Sequence, residues 1–388
     1  MAHIYGIGAT AEHHVAAAGE IARTVAARHA VDVDARGRFP EESMAALARA
    51  GFYGLCLPVE AGGHGEGPRT FAAVVETLAE ACASTAMVYV MHVTAAQAIA
   101  SSSTLAGKAD LLRAMASGRH LTTLAFSEKG SRSQFWAPVS KLTESGSGWT
   151  TSAYKSWVTS AGHADSYVSS AQRPGAGSPL ESTVYLCHRG RSGMRHDSGF
   201  DGLGLRGNDS APVVLEDYRV DEGDLISALG EGAGTMLQVV LPWFSVGTAA
   251  MAHGLCRAAI GATSAHLQGT GFEHTGTQLR DLPNLRARLA VMSVRADQSR
   301  ALLGFTAGEM ESPNGATPLY VLQSRMSALD TALEVTDLAM KACGGAAFSR
   351  QLGVERFFRD ARAGWVMAPT VDHLSDFIGK ALTGLPLF

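Results

Sequence analysis

The chain has 388 residues, of which 46% are hydrophobic and 18% charged, and it carries a net charge of −4. That length allows two or three domains, or one large fold with a sizeable core, and the composition is globular rather than disordered. No run of Lys or Arg supplies the electrostatic footprint of a nucleic-acid or anionic-membrane binder, which argues against both partners.

The opening MAHIYGIGATAEHH has no basic stretch followed by an apolar one, so no signal peptide is expected. The five cysteines, Cys56, Cys82, Cys187, Cys256 and Cys343, are odd in number, scattered and never spaced CxxC. They argue against a disulfide framework and for a reducing, cytoplasmic setting. Residues 11–30 are Ala-rich with mixed charge and read as a surface helix. Pro40, Glu41 and Glu42 then open a helix that Gly51 stops. After a glycine-rich connection, 54–68, helices are expected over 70–82, 84–102 and 108–117. The most apolar window, 83–100, contains His92, Thr94 and Gln97 and is short for a bilayer span, so it reads as a core helix.

Near His120 the texture changes. Runs rich in Val, Thr, Tyr and Trp at 121–127, 140–144, 150–154, 156–159, 167–170, 183–187 and 212–220, punctuated by Gly, Ser, Asn and Asp, predict an antiparallel sheet or small barrel. Helical periodicity returns from Gly234, with helices expected at 235–268, 285–310, 318–342, 351–362 and 371–382, enough for a bundle. The organisation is α+β: an N-terminal helical domain over 1–119, a middle β domain over 120–228 and a C-terminal helical bundle over 229–388.

Three local patterns carry possible chemistry. Gly202-Leu-Gly-Leu-Arg-Gly207 fits G-x-G-x-x-G, but a strand follows where a dinucleotide fingerprint needs a helix, so a turn is the better reading. Ser152-Ala-Tyr-Lys155 spells S-x-x-K in alternating β sequence, where Ser and Lys do not share a helical face. None of the 14 histidines has metal-ligand spacing, and no metal is expected. His92, in the apolar helix, is either a hydrogen-bonded core residue or a general acid or base.

Taken in order, Phe39-Pro40 with GFYGLCLPVEAGGHG (51–65), LAFSEKGSRS (124–133), YKSWVTSAGHAD (154–165), GLRGND (204–209) with VVLEDYRV (213–220), GEGAGTMLQVVL (230–241), CGGAAF (343–348) and VERFFRDAR (354–362) make the chain resemble the acyl-CoA dehydrogenase superfamily over nearly its full length. The resemblance implies an N-terminal helical domain, a middle antiparallel β domain and a C-terminal four-helix bundle, assembled as a homo-oligomer, a tetramer or a dimer. It implies FAD rather than FMN. Phe126 and Ser127 would offer donors to the flavin, Trp157 would stack near the isoalloxazine and Thr159 would hydrogen-bond near N5. It also places Ser133 at the cofactor, Gly344 and Gly345 against a partner subunit's cofactor, and Thr370 after the family's catalytic loop. Tyr89, Phe244 and Met367 would line the substrate pocket.

The resemblance also exposes departures. Members abstract a proton with a Glu at a fixed distance after the Arg-Asp-Ala-Arg cluster; counted from Arg359, that position is Ala368. Branches that carry the base on the first bundle helix, before a substrate-anchoring arginine, have Phe244 and Ser245 at those places. The Arg-x-x-Phe-Gly element appears as Gly269 to Glu273 without its arginine, leaving Arg280 or His274 as replacements, and Gln134 stands for the usual carboxylate. The cluster Arg356, Arg359, Asp360 and Arg362 reads as interdomain and intersubunit bracing. The expected function is a flavin-dependent oxidoreductase of oxygenase type, served by a reductase and acting on a thioester or related small molecule in biosynthesis. The alternatives are an acyl-CoA or acyl-carrier-protein dehydrogenase with a displaced base, for which His92, Tyr89 or a carboxylate that the sequence does not place would serve, and an inactive scaffold.

Overall fold

The computed structural model describes residues 3–197 and 199–387. The first third is helical. A continuous helix α1 (residues 12–36) includes one π-helical stretch, Ala22–Ala26, and ends at Gly37 with φ 61°. It is not wholly a surface helix, because Ala18, Ala22, Ala26, Ala30 and Val33 form a buried stripe of small side chains. Helix α2 (Glu41–Arg49) starts one residue later than the sequence predicts, with Pro40 outside the first turn, and Gly51 follows at φ 78°. Helices α3 (Pro68–Ala81), α4 (Ala83–Ser101) and α5 (Lys108–Ala116) complete this part. Helix α4 is buried around nearly its whole circumference, which is why its sequence shows no amphipathic period.

The middle part differs from one antiparallel sheet. Strands β1 (Thr122–Ala125), β2 (Thr143–Ser145), β3 (Gly148–Val158), β4 (Ser166–Gln172), β5 (Ser182–His188), β6 (Met194–His196) and β7 (Ala211–Val220) form two sheets, ordered β1-β4-β5 and β2-β3-β7-β6. β1 runs parallel to β4, with Thr122 opposite Ser166, while every other pair in the two sheets is antiparallel. The chain leaves β1, builds the β2–β3 hairpin on the other sheet and returns, a crossover long enough for parallel pairing. The two runs expected at 150–154 and 156–159 are one strand, β3, interrupted by irregularities between Thr151 and Ala153 and between Lys155 and Val158. Three-residue β6 is too short to leave a sequence signal.

The last part is a bundle. Helix α6 (Gly232–Gly269) is long and apolar enough to cross a bilayer by length and composition, yet 72% of its most apolar window is buried inside the protein. It packs on α3, α4, α7 (Pro283–Glu311) and α8 (Thr317–Cys343). Gly254 makes the α3 contact possible: a Cβ there would lie 2.4 Å from the carbonyl oxygen of Glu76. Helix α9 (Val354–Val366) lies against α6 and α8, and α10 (Val371–Thr383) against α8.

Candidate active site

A cavity of about 730 Å³ lies where the three parts meet. Met87 and Met91 of α4 line one side, and Leu124 of β1 with the segment 126–135 lines the next. The β3 irregularity contributes Ser156 and Trp157, the loop before β7 contributes Leu203 to Leu205, Asn208 and Ser210, and α6 contributes Val240, Leu241 and Phe244. Helix α9 and the turn after it close the wall with Arg359, Arg362, Ala363, Val366, Met367 and Ala368.

Backbone strain gathers on this wall. Among the described residues six non-glycine positions have positive φ, and three of them line the cavity: Arg132 at 50°, Trp157 at 56° and Leu205 at 49°. Such conformations persist only where surrounding packing imposes them. At Trp157 the β3 irregularity turns the indole out of the sheet, leaving it 70% exposed. Leu203 and Val366, also on the wall, are each 66% exposed.

The loop that supplies Leu203 to Leu205 is the G-x-G-x-x-G stretch, and its glycines serve packing. A Cβ on Gly204 would lie 2.4 Å from the carbonyl oxygen of Arg359, and one on Gly207 2.2 Å from Val33 Cγ1. Leu205 N–H donates to Asp360 Oδ1 at 2.7 Å. Arg359 donates to Asp34 at 2.8 and 2.6 Å and to Leu203 O at 3.1 Å. The Arg-Asp-Ala-Arg cluster thus braces α9 to α1 and to this loop within one chain. Burial, with Asp34 adding to it, pushes the Asp360 carboxyl up to about 6 against the pull of Leu205 N–H, Arg356 and Arg359.

Beneath the wall, Lys155 and Glu128 form a buried ion pair at 2.5 Å. Glu128 also accepts from Val139 N–H at 2.6 Å, Ser140 N–H at 2.8 Å and Ser140 Oγ at 2.5 Å, while Lys155 donates to Ser170 O at 2.6 Å. Burial pushes the Glu128 carboxyl up, but the Lys155 ammonium and these donors outweigh it and hold it below the usual range. Sequence reading missed this pair, although it joins two of the quoted motifs. It also missed Met87 and Met91, whose i, i+4 spacing puts them on one face of α4.

Of the residues expected at the site, Phe126, Ser127, Ser133, Trp157, Thr159, Phe244, Met367 and Ala368 line the cavity. The others lie elsewhere. His92 is fully buried with both ring nitrogens engaged: Nε2 donates to Tyr53 O at 3.1 Å, and Nδ1 accepts from Thr122 N–H at 3.2 Å. Burial pushes it down to about 4, so it is a neutral tie between α4, β1 and the segment after α2 rather than an acid or base at the cavity. Tyr89 is likewise off the wall, its hydroxyl donating to Phe52 O at 3.0 Å. Thr370 caps α10 by accepting from His373 N–H at 3.4 Å. Gly344, at φ 55°, and Gly345 face open space at the end of α8, away from this wall. Arg280 and His274 sit around the β8–β9 hairpin (Gly271–Phe272, Thr277–Gln278), also off it.

The wall suits the FAD that the resemblance implies. A flat aromatic ring system would cover the apolar surface left by Trp157, Leu203 and Val366. Thr159 Oγ1, 3.2 Å from Ser210 Oγ, stands beside it. Lys129 and Arg132 line the cavity without an ion-pair partner among the described residues, which suits a ligand bearing phosphate.

The family profile described as "Acyl-CoA dehydrogenase, N-terminal domain" matches residues 9–119, and "Acyl-CoA dehydrogenase, C-terminal domain" matches 230–382. Cyclohex-1-ene-1-carbonyl-CoA dehydrogenase of Geobacter metallireducens is 26% identical over 364 residues, 94% of this chain and 95% of that protein. The structure of butyryl-CoA dehydrogenase from Megasphaera elsdenii superposes with a TM-score of 0.92 at 21% identity, over 97% of this chain and 99% of that one. The FAD complex of PigA superposes with a TM-score of 0.89 at 17% identity, over 97% and 98% of the two chains. The two profiles together span most of the chain, and the chain belongs to the acyl-CoA dehydrogenase superfamily.

Proposed function

We propose that the chain is an FAD-dependent oxidoreductase that takes an acyl thioester or thioester-derived small molecule into this cavity and runs oxygenase-type chemistry on it. One observation carries the choice of chemistry. Among the described residues the cavity wall holds no histidine and a single carboxylate, Glu128, which is saturated by Lys155, Ser140 and the Val139 amide. Removing a proton next to a thioester carbonyl needs a free base within hydrogen-bond reach. Ala368 and Phe244 stand where such a base would be expected, and neither ionises.

Bound FAD would supply two-electron transfer and, once reduced, reactivity toward O₂. The chain's own residues supply the rest. Trp157 would cover the ring, Thr159 and Ser127 would present hydroxyls to it, and Lys129 and Arg132 would attract phosphate. Phe244, Met367, Met87 and Met91 keep water from the reacting end. A separate reductase would deliver electrons. The open face at Gly344 and Gly345, with Phe348 87% exposed, fits a second copy of the chain.

Relatives named as dehydrogenases favour the second reading, dehydrogenation with a base brought from elsewhere. Rapid mixing of the reduced holoprotein with ¹⁸O₂ in the presence of candidate thioesters separates the two. Label in the organic product supports oxygenation, whereas label recovered only in hydrogen peroxide overturns it. Anaerobic bleaching of the flavin by a thioester would establish the second reading. A colourless preparation that takes up no added FAD would overturn both and favour a scaffold.

A further inference from the structure

Arg325, on α8, has no exposed surface. Its Nη2 donates to Met367 O at 3.1 Å, and its guanidinium carbon lies 4.8 Å from the centroid of the Phe244 ring. Nε and Nη1 are buried and have no hydrogen-bond partner among the described residues. Burial alone pushes the group down to about 9, so it stays protonated at neutral pH with no carboxylate beside it. A charge buried without a counter-ion is costly, and folds retain one where something else completes it. One carbonyl and one aromatic face leave this one incomplete.

The two groups that cover the guanidinium, Phe244 and Met367, are both cavity wall, as is Ala368 beside Met367. Next to Phe244 on α6, the buried hydroxyl of Ser245 is also without a partner. An unpaired cation against the Phe244 ring and an unpaired hydroxyl on the next residue of α6 therefore lie behind this part of the wall. A guanidinium presents a planar fork of donors that matches a carboxylate. Phe244 is only partly buried, which leaves its ring free to change rotamer.

We propose that Arg325 recognises a carboxylate carried at the far end of the substrate's acyl group, reached as Phe244 turns aside. This assignment rests on the thioester reading above and narrows its substrate class to acyl groups with a terminal acid. The smallest test uses two N-acetylcysteamine thioesters of equal length, pentanoyl and glutaryl, titrated calorimetrically into the purified full-length protein.

The wild type should bind the glutaryl thioester at least tenfold more tightly. Arg325→Met should abolish that preference while changing pentanoyl affinity less than about threefold, and Arg325→Lys should keep part of it. No preference in the wild type, or equal losses for both ligands in Arg325→Met, would overturn the assignment; the latter leaves Arg325 a brace for Met367 alone. If Arg325→Met does not fold by circular dichroism, Phe244→Ala uncovers the guanidinium without altering it. That variant must then raise the glutaryl to pentanoyl ratio, and an unchanged ratio counts against the assignment. Binding of neither thioester overturns the thioester reading and this one together. A preparation lacking a flavin spectrum that still prefers the glutaryl thioester sinks only the redox reading.

Discussion

Asp360→Asn tests the brace that fixes the cavity's loop. In the folded protein the Asp360 carboxyl is held at about 6, against an ordinary value of 3.8. The cause is burial at 4% exposure beside Asp34, while the Arg359 guanidinium is committed to Asp34 through two hydrogen bonds. A raised carboxyl pKa means that the folded state binds the proton more tightly than the unfolded chain. Stability therefore falls as pH rises from about 4 to about 6 and is flat above. The shift corresponds to about 3 kcal/mol in full, about half of it accumulating between pH 5 and 7.5. Asparagine keeps an acceptor for Leu205 N–H but cannot ionise. Its amide also brings N–H groups of its own, so the readout is the change with pH and not the absolute value. Urea midpoints at pH 5 and 7.5 should show the variant gaining on the wild type by about 1.5 kcal/mol across that window. An unchanged difference, or one of opposite sign, would refute the claim that Asp360 is buried without an effective counter-ion.

His92→Phe should leave flavin reduction and ligand binding within about twofold while lowering stability by about 2–4 kcal/mol, because Thr122 N–H and Tyr53 O are left buried and unpaired; a urea melt beside a reduction assay checks both halves. Trp157→Ala should weaken FAD binding about tenfold through loss of the stacking face, read by fluorescence titration of the apoprotein. Ala368→Glu places a carboxylate at the cavity end beside the Met367 carbonyl that Arg325 holds. If the absence of a base is what blocks dehydrogenation, anaerobic bleaching of the flavin by a saturated thioester should rise by about 10²-fold or more. No gain in a variant that still binds FAD would place the block elsewhere.

The elements with strong periodicity were legible in the sequence, and so was the order of the three parts. Residues 70–82 and 84–102 differ from α3 and α4 by two residues at most, because Pro68 and the break at Cys82 set their ends. The parallel pairing of β1 with β4 was not legible, since alternation fixes which face a residue takes and not which strand it meets. The site followed the same division. Residues inside the quoted motifs, from Phe126 to Thr159, met at one cavity because short segments carry them there together. His92 and Tyr89 were expected there from chemistry alone and lie elsewhere, since a helix buried on every side gives no sequence signal for which face meets a ligand. Arg325 escaped notice for the opposite reason: in sequence it is one more charged residue of a long helix, and only its burial marks it.

Charge on and behind the wall limits what the cavity can do. Among the described residues Lys129 and Arg132 line it without a carboxylate partner, Arg325 lies against Phe244 and Met367, and the one lining carboxylate, Glu128, is neutralised by Lys155. Such a cavity attracts anionic ligands and stabilises negative charge, but among the described residues its lining has no free base able to take a proton from carbon. A glutamate at 368 would add a carboxylate to this lining; alanine leaves it without one. The missing base and the unpaired arginine therefore point the same way: the lining offers cations to an acidic ligand and no free base to a saturated acyl group.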